Sequence, residues 1–202
     1  MGATNGTSAR DGRPRNRHPL VWLSAFWAAI CFAQWPGTAA AQSDWSVLRN
    51  GTIVLLRHAN APGVGDPPNF VLGDCSTQRN LDAQGQEQAR RIGEQFRQQR
   101  VDVRRVLTSQ WCRTRETAEL AFPGRAQEAQ IFNSFFEDPA RRSPQTAEAL
   151  RLLTQWKGPG VLVVVTHQVN ISALTDVVPA SGEGVVVQPV QGKLQVTGRL
   201  RP

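Results

Sequence analysis

From residue 52 onward, short apolar runs alternate with longer stretches in which apolar positions recur every three or four residues. Thr52-Ile53-Val54-Leu55-Leu56 is uninterrupted and rich in β-branched residues, the mark of a strand buried on both faces. After a loop holding Pro62, Gly63, Gly65, Pro67 and Pro68, the chain turns polar from Leu81-Asp82 to about Gln99. Ala89, Ile92 and Phe96 fall on one side of that stretch, which predicts a helix with a single apolar face. Residues 101–107 predict a second strand, and residues 113–121 a short helix stopped by Pro123. Residues 146–156 repeat the helical spacing through Ala149, Leu150, Leu153 and Trp156 and end at Gly158-Pro159. Val161-Leu162-Val163-Val164-Val165 is the strongest strand signal, followed by a helix over residues 169–177. Residues 184–190 and 193–199 predict a hairpin turning at Gln191-Gly192. Strand–helix alternation of this kind predicts an α/β fold: a three-layer α/β/α sandwich with a mostly parallel central sheet and an edge hairpin.

The first forty residues follow a different pattern. Arg10, Arg13, Arg15 and Arg17 stand against Asp11 alone, an apolar run covers residues 20–35, and Ala39-Ala40-Ala41 closes the segment. Basic head, apolar middle and small-residue end are the parts of a secretory signal, so residues 1–41 are expected to be removed and residues 42–202 to form the working domain. The apolar run is 16 residues, shorter than the 18 or more of a spanning helix, and no stable membrane anchor is expected after cleavage. A secreted or periplasmic location follows. The formal charge of +7 belongs partly to this leader; the remaining 161 residues carry 19 basic and 15 acidic side chains, a net +4. That balance does not call for nucleic acid and suits a pocket for small anions equally well.

Removing the leader leaves two histidines, His58 and His167, and two cysteines, Cys75 and Cys112. In an oxidising compartment the cysteines form a candidate disulfide; the alternative is two free buried thiols. In open α/β sheets ligands bind beyond the carboxyl ends of the strands. Arg57-His58, the stretch from Thr108 to Arg113, and Thr166-His167 all sit there. Both histidines therefore mark one shared site.

Arg57-His58-Ala59 after a buried strand, then Leu81-x-x-x-Gly85-x-x-Gln88-Ala89, then Ser109-x-x-x-Arg113-x-x-x-Thr117-Ala118, then Val165-Thr166-His167, resembles the histidine phosphatase superfamily, with its phosphoglycerate-mutase-like fold. Within it, the leader and short core are similar to the periplasmic branch that includes lipopolysaccharide core heptose phosphate phosphatases. The resemblance implies phosphomonoester hydrolysis, with His58 as nucleophile and His167 as a donor to the phosphoryl oxygens. A small phosphorylated molecule is then the expected partner. Arg57 and Arg113 offer planar forks for phosphate. Many relatives carry an acid in the loop after the third strand, often in an apolar-x-Glu context, which Phe135-Phe136-Glu137-Asp138 matches. This makes Glu137 the expected proton donor, desolvated by its phenylalanines, with Asp138 as the fallback. Asn60 and Gln168 replace the Glu and Gly common at those places and are expected at the substrate phosphate. No cofactor is expected, and arginines at both histidines argue against a metal. Two alternatives stand: a catalytically silent anion-binding module, and a phosphohistidine protein phosphatase.

Overall fold

The computed structural model describes residues 44–201, so the leader expected over residues 1–41 lies outside the described residues. Among the described residues six strands form one sheet: β1 (Ile53–Arg57), β2 (Val103–Thr108), β3 (Ala126–Glu128), β4 (Val161–Thr166), β5 (Gly184–Val190) and β6 (Lys193–Leu200). Four helices connect them: α1 (Ala83–Gln98), α2 (Cys112–Ala121), α3 (Arg142–Thr154) and α4 (Gln168–Thr175). The order across the sheet is β3-β2-β4-β1-β5-β6. The first four of these run parallel, and β5 and β6 are antiparallel at one side. The predicted sandwich and hairpin are both present.

Strand alternation produces the layers. Val54, Leu56, Val163 and Val165 point to one face and pack with Ile92 and Phe96 of α1 and Ala118 and Ala121 of α2. Ile53, Leu55, Leu162 and Val164 point to the other, against Ala149 and Leu153 of α3 and Ile171 of α4. All of these side chains are wholly or almost wholly buried, and each valine, leucine, isoleucine or phenylalanine among them contributes about 1.5–3 kcal/mol. Helix α1 begins where Asp82 accepts the Gly85 N–H at 2.7 Å, an N-cap bond.

Three details go beyond the sequence pattern. Helix α3 starts at Arg142, four residues before the predicted 146, because Pro144 falls in its first turn, where no N–H is required. Strand β3 is unpredicted. It is three half-exposed or exposed residues, Ala126-Gln127-Glu128, with no apolar alternation to announce it. The β5–β6 register shifts by one residue, Val186 pairing with Gly198 and Val187 with Val196, so that Thr197 is the extra residue of a bulge.

Cys75 and Cys112 are joined, which ties the long β1–α1 loop to the start of α2. Closing a 37-residue separation contributes about 3–4 kcal/mol on the chain-entropy model.

Candidate active site

Parallel pairing brings three strand ends to one rim. Arg57 is level with Thr166, and Thr108 with Val165. Just beyond, the His58 N–H donates to the Thr166 carbonyl at 3.0 Å and the Ser109 N–H to the Val165 carbonyl at 3.1 Å. His58 and His167 therefore emerge side by side, ring centroids 5.6 Å apart and inclined at 65°. They line a cavity of about 190 Å³ together with Arg57, Arg79, Arg113, Gln168 and the segment from Gly63 to Asp66.

His58 is 3% exposed, and its Nδ1 lies 2.7 Å from the Ala59 carbonyl. A carbonyl oxygen can only accept, so Nδ1 carries the ring hydrogen and Nε2 keeps its lone pair. Burial, reinforced by Arg113, Arg57 and Arg79 and opposed by the Ala59 bond, lowers the His58 pKa to about 3. The ring is thus uncharged across the physiological range. His167, buried among the same arginines, is held neutral in the same way. Its Nε2 lies 2.8 Å from the Ser109 hydroxyl, a closer contact than that hydroxyl makes with Asn133 Oδ1 at 3.3 Å. That hydroxyl donates to Asn133, and the other ring nitrogen of His167, Nδ1, is buried without a partner.

The turn after β1 is gripped by the motif residues. The Ala59 N–H donates to Thr117 Oγ1 at 3.0 Å, and the Thr117 hydroxyl donates to the Arg113 carbonyl at 2.6 Å. The Asn60 N–H donates to Gln88 Oε1 at 2.8 Å. Gly85 packs directly on this turn: a Cβ there would lie 1.9 Å from the Asn60 carbonyl oxygen. Gly85, Gln88 and Thr117 are therefore positioning residues for the histidine turn.

The cations are arranged differently from expectation. Arg57 donates through Nη1 to the Pro179 carbonyl at 2.9 Å, while its Nε is buried without a partner. Arg113 spends one edge of its fork inside the protein: Nη1 and Nη2 donate to Asp66 at 2.7 and 3.1 Å, in a pair whose side chains are 4% and 8% exposed, and Nη1 also donates to the Arg79 carbonyl at 3.4 Å, which leaves the unpartnered Nε beside the second hydrogen of Nη2. Burial alone would raise the Asp66 pKa, but the bonds and charge of Arg113, with Trp111 Nε1 at 2.9 Å and the Arg79 N–H at 3.3 Å, hold it below the ordinary range. Sequence reasoning missed both Asp66 and Arg79. Arg79 braces the loop from inside, donating Nε to the Gly65 carbonyl at 2.8 Å and Nη1 to the Ala61 carbonyl.

Of the other expected residues, Gln168 lines the cavity and donates Nε2 to Ser172 Oγ at 3.1 Å. Asn60 does not reach it: its amide turns toward Asp82, 3.4 Å away, because the backbone on either side is fixed to α1. Glu137 lines an adjoining groove instead, its Oε1 against Gly65, where a Cβ would come within 2.7 Å. The expected desolvation of Glu137 is absent. Phe135 turns into the core, Phe136 is 50% exposed, and Glu137 itself is exposed.

The chain is similar to known proteins over this same region. Residues 53–138 match the family model of the histidine phosphatase superfamily, branch 1. No curated protein matches the chain. Among solved structures, the protein histidine phosphatase SixA in complex with tungstate has a TM-score of 0.51 at 16% identity, covering 75% of this chain and 97% of its own. A phosphoserine phosphatase mutant of Entamoeba histolytica with phosphoserine bound gives 0.51 at 14%, covering 74% and 96%. A phosphoglycerate mutase of Thermus thermophilus gives 0.50 at 18%, covering 75% and 99%. Identities this low speak for a common fold alone.

Proposed function

Residues 53–138 belong to the histidine phosphatase superfamily, and on that premise we propose that the protein hydrolyses phosphomonoesters through a phosphohistidine at His58. The observation that carries this reading is one of complementarity. Beside a neutral histidine with a free Nε2 lone pair stand three buried nitrogens without partners: the N–H groups Arg57 Nε and Arg113 Nε, and His167 Nδ1, which joins them as a donor when it carries a proton. Unpaired buried donors are costly, about 1–3 kcal/mol each, and phosphoryl oxygens would satisfy them together. Three arginines against Asp66 leave a net +2, which matches a phosphate dianion.

In the first half-reaction His58 Nε2 attacks phosphorus as the bond to the leaving oxygen breaks, and Glu137 delivers the proton that oxygen takes up. In the second, Glu137 removes a proton from water, which attacks the phosphohistidine; phosphate leaves and Nε2 is restored. The three donors stabilise the charge that builds on the phosphoryl oxygens in both steps. The position of Glu137 against Gly65, on the rim between cavity and groove, suits a group acting on the leaving oxygen.

His58→Ala is expected to abolish turnover and the acid-labile labelling of the wild type by substrate, while far-ultraviolet circular dichroism stays unchanged. Substantial activity in this variant would refute the mechanism. Glu137→Gln is expected to slow alkyl phosphates strongly and activated aryl phosphates little, since a good leaving group needs no proton. Equal losses on both would remove Glu137 from the role and put Asp138 next.

The setting we infer is outside the cytoplasm. The basic, apolar and small-residue blocks of residues 10–41 support export, and the Cys75–Cys112 disulfide supports an oxidising compartment.

A further inference from the structure

We propose that Glu183, outside the phosphate cavity, is a positioning residue for Arg57 and acts on it through the peptide group between Pro179 and Ala180. This rests on the phosphatase reading above. Antiparallel pairing sets Gly184, the first residue of β5, level with Leu56 of β1, so the chain entering β5 lies against the end of β1. Residues 179–183 hold Arg57 at both ends. The Arg57 N–H donates to the Glu183 carbonyl at 3.0 Å, and its Nη1 donates to the Pro179 carbonyl at 2.9 Å. The Gly182 N–H donates to the His58 carbonyl at 3.1 Å, so the same segment also touches the histidine turn.

The Glu183 carboxylate grips the other side of that peptide group: Oε2 accepts the Ala180 N–H at 2.9 Å. In a trans peptide the C=O and N–H point in opposite directions, so fixing the N–H aims the carbonyl at Arg57. Glu183 is 3% exposed, while its partners Arg199 and Arg201 stand partly in solvent. Arg199 donates Nε to Oε1 at 2.6 Å and Nη2 to Oε2 at 2.9 Å, and Arg201 donates Nε to Oε1 at 3.1 Å. Burial alone would raise the Glu183 pKa, but the Arg199 bonds, the Ala180 N–H and the two positive charges hold it below the ordinary range. An ion pair serving stability alone need not bury its carboxylate or reach into this loop. A negative charge at the N–H end of the peptide strengthens the carbonyl as an acceptor at the other end. Among the described residues no carboxylate bonds Arg57 directly, and one that did would occupy donors that phosphate needs. Acting through the peptide, Glu183 orients the guanidinium and leaves its buried Nε open to the phosphoryl oxygens.

The test is a double-mutant cycle on the full chain, read as kcat/KM for an activated aryl phosphate, with calorimetric binding of inorganic phosphate alongside. Glu183→Gln keeps the side-chain volume and removes the charge; it should lower kcat/KM and weaken phosphate binding by about tenfold, the scale of one hydrogen bond to a charged group. Added to Arg57→Ala, the same substitution should change kcat/KM by less than about twofold, because the group it orients is gone. If Glu183→Gln does not fold, as judged by far-ultraviolet circular dichroism, Arg199→Gln on the partly exposed β6 replaces it with the same expectation. Unchanged kcat/KM and phosphate affinity in the single variant, or an equal loss in both backgrounds, would overturn the inference and mark the pair as structural. In either of those cases His58-dependent hydrolysis of the aryl phosphate by the wild type leaves the phosphatase reading standing. A wild type that neither binds phosphate nor hydrolyses the aryl ester overturns both.

Discussion

Asp66 determines what Arg113 can do. With one hydrogen of each terminal nitrogen held by the carboxylate, the arginine meets a ligand along its Nε–Nη2 edge, and the aim of that edge depends on the pair staying intact. Arg113→Ala therefore has two expected effects. It removes a phosphate donor, so inhibition by phosphate or vanadate weakens. It also strands a buried carboxylate, at a cost of about 3–5 kcal/mol in urea unfolding at pH 7. Replacing both partners, Asp66→Leu with Arg113→Met, should recover most of the stability but none of the inhibition; wild-type stability in Arg113→Ala alone would show that the pair is not a buried one. Such a pair was not legible in the sequence. His58 and His167 could be placed because each directly follows an apolar run whose length sets the strand end. Asp66 and Arg79 sit in a Pro- and Gly-rich loop without periodicity, and their partners in α2 are 47 and 34 residues away. Asn60 shows the same limit from the other side. Its sequence position beside the histidine suggested a contact with phosphate, but neighbouring α1 fixes its direction.

At the scale of elements, α1 packs its Gly85 backbone directly on the turn after β1. Alanine in place of Gly85 would gain about 1 kcal/mol of helix propensity. The same methyl would lie 1.9 Å from the Asn60 carbonyl oxygen, a backbone atom that no rotamer change can move aside. Overpacking of this kind costs typically 1–3 kcal/mol, so the net effect of Gly85→Ala should be destabilising. Because the turn carries His58, kcat should fall as well, even at temperatures where the variant is fully folded. A variant with raised thermal stability and normal kcat would contradict this packing. The hairpin of β5 and β6 was readable to within a residue, since Gln191-Gly192 interrupts two β-rich runs. The start of α3 was not, because the first turn of a helix needs no apolar spacing and tolerates Pro144.

At the scale of the whole molecule, burying two neutral histidines couples folding to pH. His58 has its pKa lowered from 6.5 to about 3 in the folded state, and His167 is shifted in the same direction. The unfolded chain thus binds more protons below pH 6.5 than the folded one, and stability conferred by neutral rings above that pH is lost progressively as pH falls toward 3. Thermal melts of the wild type should show Tm declining through this window. His58→Asn should flatten part of the decline; an unchanged slope in this variant would mean that His58 is not buried as a neutral ring. Activity should behave differently. With His58 already uncharged, the rate is expected to show no inflection near pH 6.5 arising from the nucleophile.

The bulge at Thr197 bears on a hazard of a different kind. An open sheet of this order ends in two edges, and β3 is only three residues long. The eight residues of β6 are the longer template on which another extended chain could add itself, the route by which sheets aggregate. The extra residue breaks the regular ladder midway and increases the local twist, and Val47 presses on Gly198 just beyond it. Lys193 at the start of the strand adds a charge that opposes stacking of like copies. The irregular register thus makes the molecule's longest edge a poor seed for β-aggregation.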